Sequence, residues 1–161
     1  MQTLILPGYS ASNKEWVDDV VKNLKVEGTI RPFYWMHWTD ENSKFDAKQK
    51  AGLIAKHIRG DKVNIIAKSL GTLIVGYLWQ IIPTQIEKVV FCGIPVKDIT
   101  SEELEIVKRC ISQMNDKIIV LQNVNDPHGT FEEVKDLGNI RMTSRDDHTY
   151  PFFDKFNEFL N

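Results

Sequence analysis

Residues 67–71 read AKSLG, a serine with a small residue two places before it and another two places after it. Apolar residues crowd in on both sides, VNIIA before and LIVGYLW after, so one ammonium and one hydroxyl interrupt a stretch that otherwise looks buried. A sharp turn from strand into helix explains the interruption. Strand and helix backbones nearly touch in such a turn, so the residues at 67 and 71 must be small. The serine hydroxyl is pushed out at the edge of the sheet, and the Leu70 N–H is aimed at the reaction centre. The helix start adds partial positive charge where an oxyanion would develop. The chemistry would be nucleophilic attack of Ser69 on an acyl carbon. The same residues have a plainer reading, because the motif is short and serine is a good helix N-cap. Lys68 reads as a solvated charge, since lysine is seldom buried without a partner.

A serine hydroxyl is a weak nucleophile and needs a base that is itself oriented by an acid. The chain has four histidines. His57 falls near the end of a helix, on its surface. His37, in WMHWTD, follows the second strand and could reach the rim of a site. His128 lies in NDPHG and His148 in SRDDHTYP. His148 is the preferred base, because a loop after the last strand can reach back to the end of a central one. Asp126 is the preferred acid, giving the chain order Ser69, Asp126, His148 known from hydrolases. Asp98 is the reserve acid and His128 the reserve base, while Asp146 and Asp147 stand too close to His148 to orient its ring. Asp126 also suits a turn before Pro127, and His148 a loop leading into a helix. A second oxyanion donor is expected from the loop LPGYSAS, where Gly8 lets the backbone pass closely and Tyr9 offers its N–H. Cys92 lies inside an apolar strand and reads as a small buried hydrophobe rather than a nucleophile.

These residues need a scaffold that gathers them. Short runs rich in Ile and Val predict strands at 3–7, 29–35, 62–68, 87–93, 116–124 and 139–144. Helical periodicity places an apolar stripe on Trp16, Val17, Val20, Val21 and Leu24, with Ser12 and Glu15 able to form a capping box. A second stripe falls on Ala47, Ala51, Ile54, Ala55 and Ile58. Further helices are predicted over 70–81, 101–114, 130–137 and 150–160. Strand and helix alternate, which implies an α/β three-layer sandwich with about six parallel strands. Ligands bind beyond the carboxyl ends of such strands, which is where Ser69, Asp126 and His148 fall.

With 161 residues, the chain fits one domain spanning 1–161. Hydrophobic residues make up 42% and charged residues 26%, and the net charge of −2 is scattered. That excludes the clustered basic face of a nucleic-acid binder. No apolar run is long enough for a membrane span, and the start, MQTLILPGYS, does not read as a signal peptide. The two cysteines form no C-x-x-C pair and metal-ligand spacing is absent, so no metal or organic cofactor is expected. Two cysteines in buried contexts fit a reduced, cytoplasmic protein.

Taken together, LILPGYSASNKEW, NIIAKSLG, NDPHG and DDHTYPFF resemble the α/β-hydrolase superfamily over nearly the whole chain. More narrowly they resemble its small, lidless serine hydrolases, the group related to the retinoblastoma-binding hydrolase. The resemblance implies a reduced α/β-hydrolase fold and an ester-cleaving triad on Ser69, His148 and Asp126, with oxyanion donors at Tyr9 and Leu70. The chain departs from the pattern in having Pro7-Gly8 where many relatives have His-Gly, and Lys68 where His usually precedes the nucleophile. The two leading strands of larger members have no counterpart. Only IPVKDITSE is available where a lid would insert, so the site is expected to be open. Trp35, Met36, His37 and Trp38 are candidates for an apolar wall around a small acyl group, or else pack the sheet edge. The expected substrate is a small-molecule acyl ester. An amide or thioester hydrolase and a non-catalytic binding module on the same fold are the alternatives.

Overall fold

Val63–Lys68 is buried at every position, as a strand must be when it has neighbours on both edges and a layer on each face. It is β3 in a computed structural model that describes residues 1–58 and 60–161. The other strands are β1 (Gln2–Leu6), β2 (Thr29–Pro32), β4 (Ile86–Cys92), β5 (Ile118–Asn123) and β6 (Ile140–Thr143). All pair in parallel, in the order β2-β1-β3-β4-β5-β6. The α-helices are α1 (Asn13–Asn23), α2 (Ala47–Ile58), α3 (Leu70–Ile81), α4 (Ser101–Met114), α5 (Phe131–Val134) and α6 (Phe153–Leu160).

Alternate residues of each strand feed two separate cores. Leu4, Leu6, Ile65, Ala67, Val89 and Phe91 pack against α2, α3, α4 and α5. Ile5, Ile66, Val90, Cys92, Ile119 and Leu121 pack against α1 and α6. Right-handed crossovers account for the division. Only the step from β1 to β2 runs toward one edge, and its helix takes one face. The later steps run the other way and put their helices on the opposite face. The order reverses between β1 and β3, so a crevice opens at their carboxyl ends. The result is the expected three-layer α/β/α sandwich.

Local chemistry explains most boundaries. α3 carries Thr72, Ile74 and Val75, each a few tenths of a kcal/mol poorer in a helix than alanine. Burial of Leu73, Ile74, Val75 and Leu78 contributes about 1.5–3 kcal/mol each, which outweighs propensity. The capping box expected at Ser12 and Glu15 does not form. Ser12 is itself helical in conformation with no capping bond, and its hydroxyl meets the Ser10 hydroxyl at 2.9 Å. Two backbone turns, Asn13 N–H to Ser10 O and Lys14 N–H to Ala11 O, each at 3.0 Å, already satisfy the first donors. Capping boxes stand instead at Thr100/Glu103 and Thr130/Glu133. β2 stops at Pro32, short of the expected 35, because the chain peels off into a 3₁₀ turn at Met36–Trp38. α6 starts at Phe153 rather than Tyr150, because a residue followed by proline is kept out of the helical region and Pro151 does this to Tyr150.

Candidate active site

The residue between β3 and α3 is Ser69, and its backbone is strained. It sits at φ 54° and ψ −127°, a conformation that L-residues with a side chain rarely adopt and that costs on the order of 1–3 kcal/mol. Its surroundings hold it there. The Ser69 N–H donates to Cys92 O at 3.0 Å. The Ser69 carbonyl accepts from both the N–H and the hydroxyl of Thr72, each at 2.8 Å. A Cβ on Gly71 would lie 2.2 Å from the Leu6 carbonyl oxygen, and one on Gly8 would lie 2.8 Å from the Ser69 Cβ. The turn therefore requires the glycine at 71. Gly71→Ala is expected to lose about 3 kcal/mol of stability, seen as a fall in the urea midpoint at unchanged slope. An unchanged midpoint would contradict this packing.

Ser69 lines a cavity of about 300 Å³ together with Tyr9, Ser10, Asn13, Leu70, Asp98, His128 and His148. Behind His148 lies Asp126, whose side chain is fully buried. Its Oδ2 lies 2.7 Å from His148 Nδ1 and accepts a short bond from the Tyr150 hydroxyl. Its Oδ1 accepts the His128 N–H at 2.8 Å. Burial pushes the Asp126 carboxyl up, but the bonds from His148 and Tyr150 outweigh it and hold the pKa below the ordinary carboxylate range. The carboxylate at Nδ1 fixes the tautomer that carries its proton there and leaves Nε2 as an acceptor. That Nε2 is buried and has no hydrogen-bond partner among the described residues. Ser69 and His148 thus share the cavity without a hydrogen bond between them. Such bonds commonly tighten only when substrate binds.

The reserve pair is also formed. His128 Nδ1 lies 2.5 Å from Asp98 Oδ2, and the His128 ring centroid is 4.3 Å from that of His148. Both side chains of this pair are 44% exposed, against 17% and 0% for His148 and Asp126. Attraction is stronger in the drier pair, which favours His148 as the base. His57 is exposed at the end of α2, with Nδ1 on the Leu53 carbonyl. Asp147 is taken by Arg145, whose bonds to it push its carboxyl well down, and Asp146 accepts from Asn125.

The loop that carries His148 is tied on several sides. Asn123, at the end of β5, donates from Nδ2 to the carbonyls of Asp147 and Thr149 at 2.7 and 2.8 Å. Trp16 Nε1 donates to Tyr150 O at 3.0 Å. Tyr150 is fully buried, and burial raises its pKa, so the phenol stays a donor to Asp126. A Cβ on Gly93, which has φ +69°, would strike the Tyr150 ring at 2.6 Å. Tyr150, Asn123 and Gly93 were not legible as site residues in the sequence. The one available signal was a tyrosine two places after His148 in a loop that ends at a proline.

The aromatic segment after β2 does not wall the cavity. Trp35 is buried in the core and donates to the carbonyls of Pro7 and Gly8, both at 3.1 Å. His37 Nε2 and Trp38 Nε1 each meet the Tyr9 carbonyl at 2.7 Å, while Met36 is exposed. Indole and imidazole N–H groups seek acceptors when partly buried, and the loop carbonyls supply them. A trans peptide holds its N–H opposite its C=O, so the Gly8 carbonyl's bond to Trp35 turns the Tyr9 N–H away from the aromatics. Among the described residues, no protein acceptor takes the backbone N–H of Tyr9 or of Leu70. Lys68, expected in solvent, is buried. Cys92 and Cys110 are buried free thiols, and burial raises both pKa values, that of Cys110 to about 12, which leaves them inert. Among the described residues no group of three or more His, Cys, Asp or Glu could hold a metal ion, and no helix is long and apolar enough to cross a membrane.

No protein-family model matches the chain, and no curated protein matches it in sequence. Solved structures do match in shape. A YdeN-like hydrolase from Pectobacterium atrosepticum superposes with a TM-score of 0.67 at 15% identity, over 98% of this chain and 89% of that one. A monoacylglycerol lipase of Paleococcus ferrophilus gives 0.64 at 12% identity, over 98% and 91%. An α/β serine hydrolase without a lid from Xanthomonas campestris gives 0.64 at 14%, over 96% and 74%. At these identities the likeness is one of fold. The six parallel strands and their flanking helices form a lidless α/β-hydrolase fold, with only residues 93–100 between β4 and α4.

Proposed function

We propose that the protein is a serine hydrolase that cleaves carboxylic esters of small acyl groups. The observation that carries this is the strained Ser69 at a helix start, in one cavity with an imidazole whose Nδ1 is held by a buried carboxylate and whose Nε2 is free. His148 takes the Ser69 proton as Oγ attacks the acyl carbon, and Asp126 stabilises the imidazolium that forms. The N–H groups of Tyr9 and Leu70 bind the tetrahedral oxyanion, each worth on the order of 3 kcal/mol in such sites. His148 returns the proton to the leaving alcohol. Water then enters and gives a proton to His148 as its oxygen attacks the acyl carbon. His148 passes that proton to Ser69 Oγ as the acyl–Oγ bond breaks and the acid leaves. The chain's own residues suffice for every step.

The cavity at Ser69, about 300 Å³, takes a short acyl group, and a larger one of about 610 Å³ shares Ser10, Asn13, His128 and His148 with it and takes the rest of the ester. The short connection where a lid would stand leaves both open. The retinoblastoma-binding group of small hydrolases is the part of the superfamily this reading favours, on the motifs quoted above. A series of 4-nitrophenyl esters from acetyl to dodecanoyl tests the acyl preference. We expect kcat/KM to fall beyond butyryl, and faster cleavage of the twelve-carbon ester would refute it. A fluorophosphonate probe tests the chemistry. A hydrolase becomes covalently labelled at Ser69, whereas a binding module on the same fold does not.

A further inference from the structure

We propose that Lys68 is a positioning residue whose ammonium, acting through Asn13, fastens the loop that presents the Tyr9 N–H to the site. The effect on rate rests on the serine-hydrolase reading, but the fastening itself can be measured without turnover.

Lys68 closes β3 on the face that packs against α1 and is only 7% exposed. Among the described residues no carboxylate lies within salt-bridge distance of it. Its Nζ donates to Asn13 Oδ1 at 2.6 Å and lies 5.7 Å from the centre of the Trp16 ring. An ammonium taken out of water without a counter-charge is costly, and burial accordingly pushes its pKa down. A neutral, apolar side chain would fill this strand end at less cost, so the charge calls for a role.

The role follows from what the ammonium does to Asn13. A lysine has donors only, so it forces the acceptor end of the Asn13 amide toward itself and turns the NH₂ end the other way. Asn13 Nδ2 then donates to the Ser10 carbonyl at 2.8 Å. The same nitrogen lies 3.2 Å from the place a Gly8 Cβ would occupy, against Ser69. Asn13 is 5% exposed and cannot exchange these bonds for water. On its other side the loop is gripped by Trp35, His37 and Trp38, which hold the carbonyls of Pro7, Gly8 and Tyr9. Ser10, Ala11 and Ser12 are exposed and turn on their own backbone, so Lys68 and Asn13 supply the side-chain hold that ties this second side of the loop to the end of β3. An oxyanion donor contributes fully only if it is held to within a fraction of an ångström.

The test compares wild type with Lys68→Met, Asn13→Leu and the double variant. Hydrogen exchange at the amides of residues 13 and 14, which close the loop onto the Ser10 and Ala11 carbonyls at 3.0 Å each, is expected to accelerate at least ~10-fold in each variant, while amides of β3 and α3 keep their protection. With 4-nitrophenyl butyrate, kcat is expected to fall about 30-fold at nearly constant KM, part of the 10²–10³-fold a lost oxyanion donor costs. The affinity for an alkyl trifluoromethyl ketone, whose serine adduct carries the oxyanion, falls by the same factor. The double variant loses little more than either single one. Unchanged exchange in the loop, or losses that multiply in the double variant, would overturn the proposal. So would a loss confined to esters bearing a carboxylate, which would make Lys68 a substrate-binding group instead. If Lys68→Met does not fold, Lys68→Gln and Asn13→Leu carry the same comparison. Fluorophosphonate labelling of wild type at Ser69 separates a failure of this fastening from a failure of the hydrolase reading.

Discussion

Ser69→Ala is expected to abolish labelling by a fluorophosphonate and to lower kcat on short esters by ~10⁶-fold, leaving only what the oxyanion donors and binding supply. The effect is large because no other hydroxyl is placed at the helix start: Ser10, the other serine on the cavity, spends its hydroxyl on that of Ser12. Thr72, the next in the chain, spends its Oγ on the Ser69 carbonyl, and the buried thiol of Cys92 has its pKa pushed up. The same position offers a second measurement that points the opposite way. Ser69 holds φ at 54°, which glycine adopts freely. Ser69→Gly should therefore unfold at higher urea than Ser69→Ala, by on the order of 1 kcal/mol, while being equally inactive. A glycine variant less stable than the alanine variant would show that the turn is not strained in the folded protein.

Asp126→Asn is expected to lower kcat by ~10⁴-fold and to destabilise the fold by about 2–3 kcal/mol. Three donors converge on the two oxygens of Asp126: the His128 N–H on Oδ1, and His148 Nδ1 and the Tyr150 hydroxyl on Oδ2. An amide replaces one oxygen with a donor. The His128 N–H can only donate, so it keeps the remaining oxygen, and the NH₂ turns to the Oδ2 side, where it faces both His148 Nδ1 and the Tyr150 hydroxyl. His148 then loses its fixed tautomer. The pH dependence has a definite sign. The folded pKa of Asp126 is depressed below its ordinary 3.8, so its stabilisation is complete above that value. It disappears as pH falls through the lower, folded value, because the unfolded chain then binds the proton first. The stability gap between wild type and Asp126→Asn should be constant from pH 7 to about pH 5 and shrink below pH 4. Urea titrations at pH 7 and pH 3 measure it. Equal gaps at both would mean that the carboxylate carries no charge-dependent part of the stability.

Much of the scaffold was legible because its signals are local. The Ile- and Val-rich runs, the apolar stripes and the small residues around Ser69 each report on a few neighbouring residues. The strands and helices they predict form, apart from shorter ends at β2 and α6 and the helix expected over 130–137, which is α-helical only over Phe131–Val134 and finishes as a 3₁₀ turn over Lys135–Leu137. Ser12 shows the limit. Its type and spacing from Glu15 suit a capping box, yet the preceding loop had already satisfied those donors by turning on its own backbone.

The site was legible in type more than in pairing. The sequence offered two acids, Asp98 and Asp126, and two bases, His128 and His148, in neighbouring loops. Spacing alone could not say which carboxylate sits under which ring. The fold pairs them both, one couple dry and one wet. Tyr150 and Asn123, which lock the drier couple, look ordinary in the sequence because their partners lie more than twenty residues away.

By itself, the sequence determined an alternating α/β chain, a serine placed where a strand becomes a helix, and the menu of groups able to serve it. Backbone propensity and periodicity act over a few residues, and those features need nothing more. Only the tertiary structure decided that Lys68 is buried on Asn13, that Trp35, His37 and Trp38 hold the loop carbonyls rather than wall the cavity, and that His148 stands against Asp126. Each of those depends on how the two helical layers close over the sheet, where desolvation makes every unpaired donor or charge find whatever partner the fold brings near.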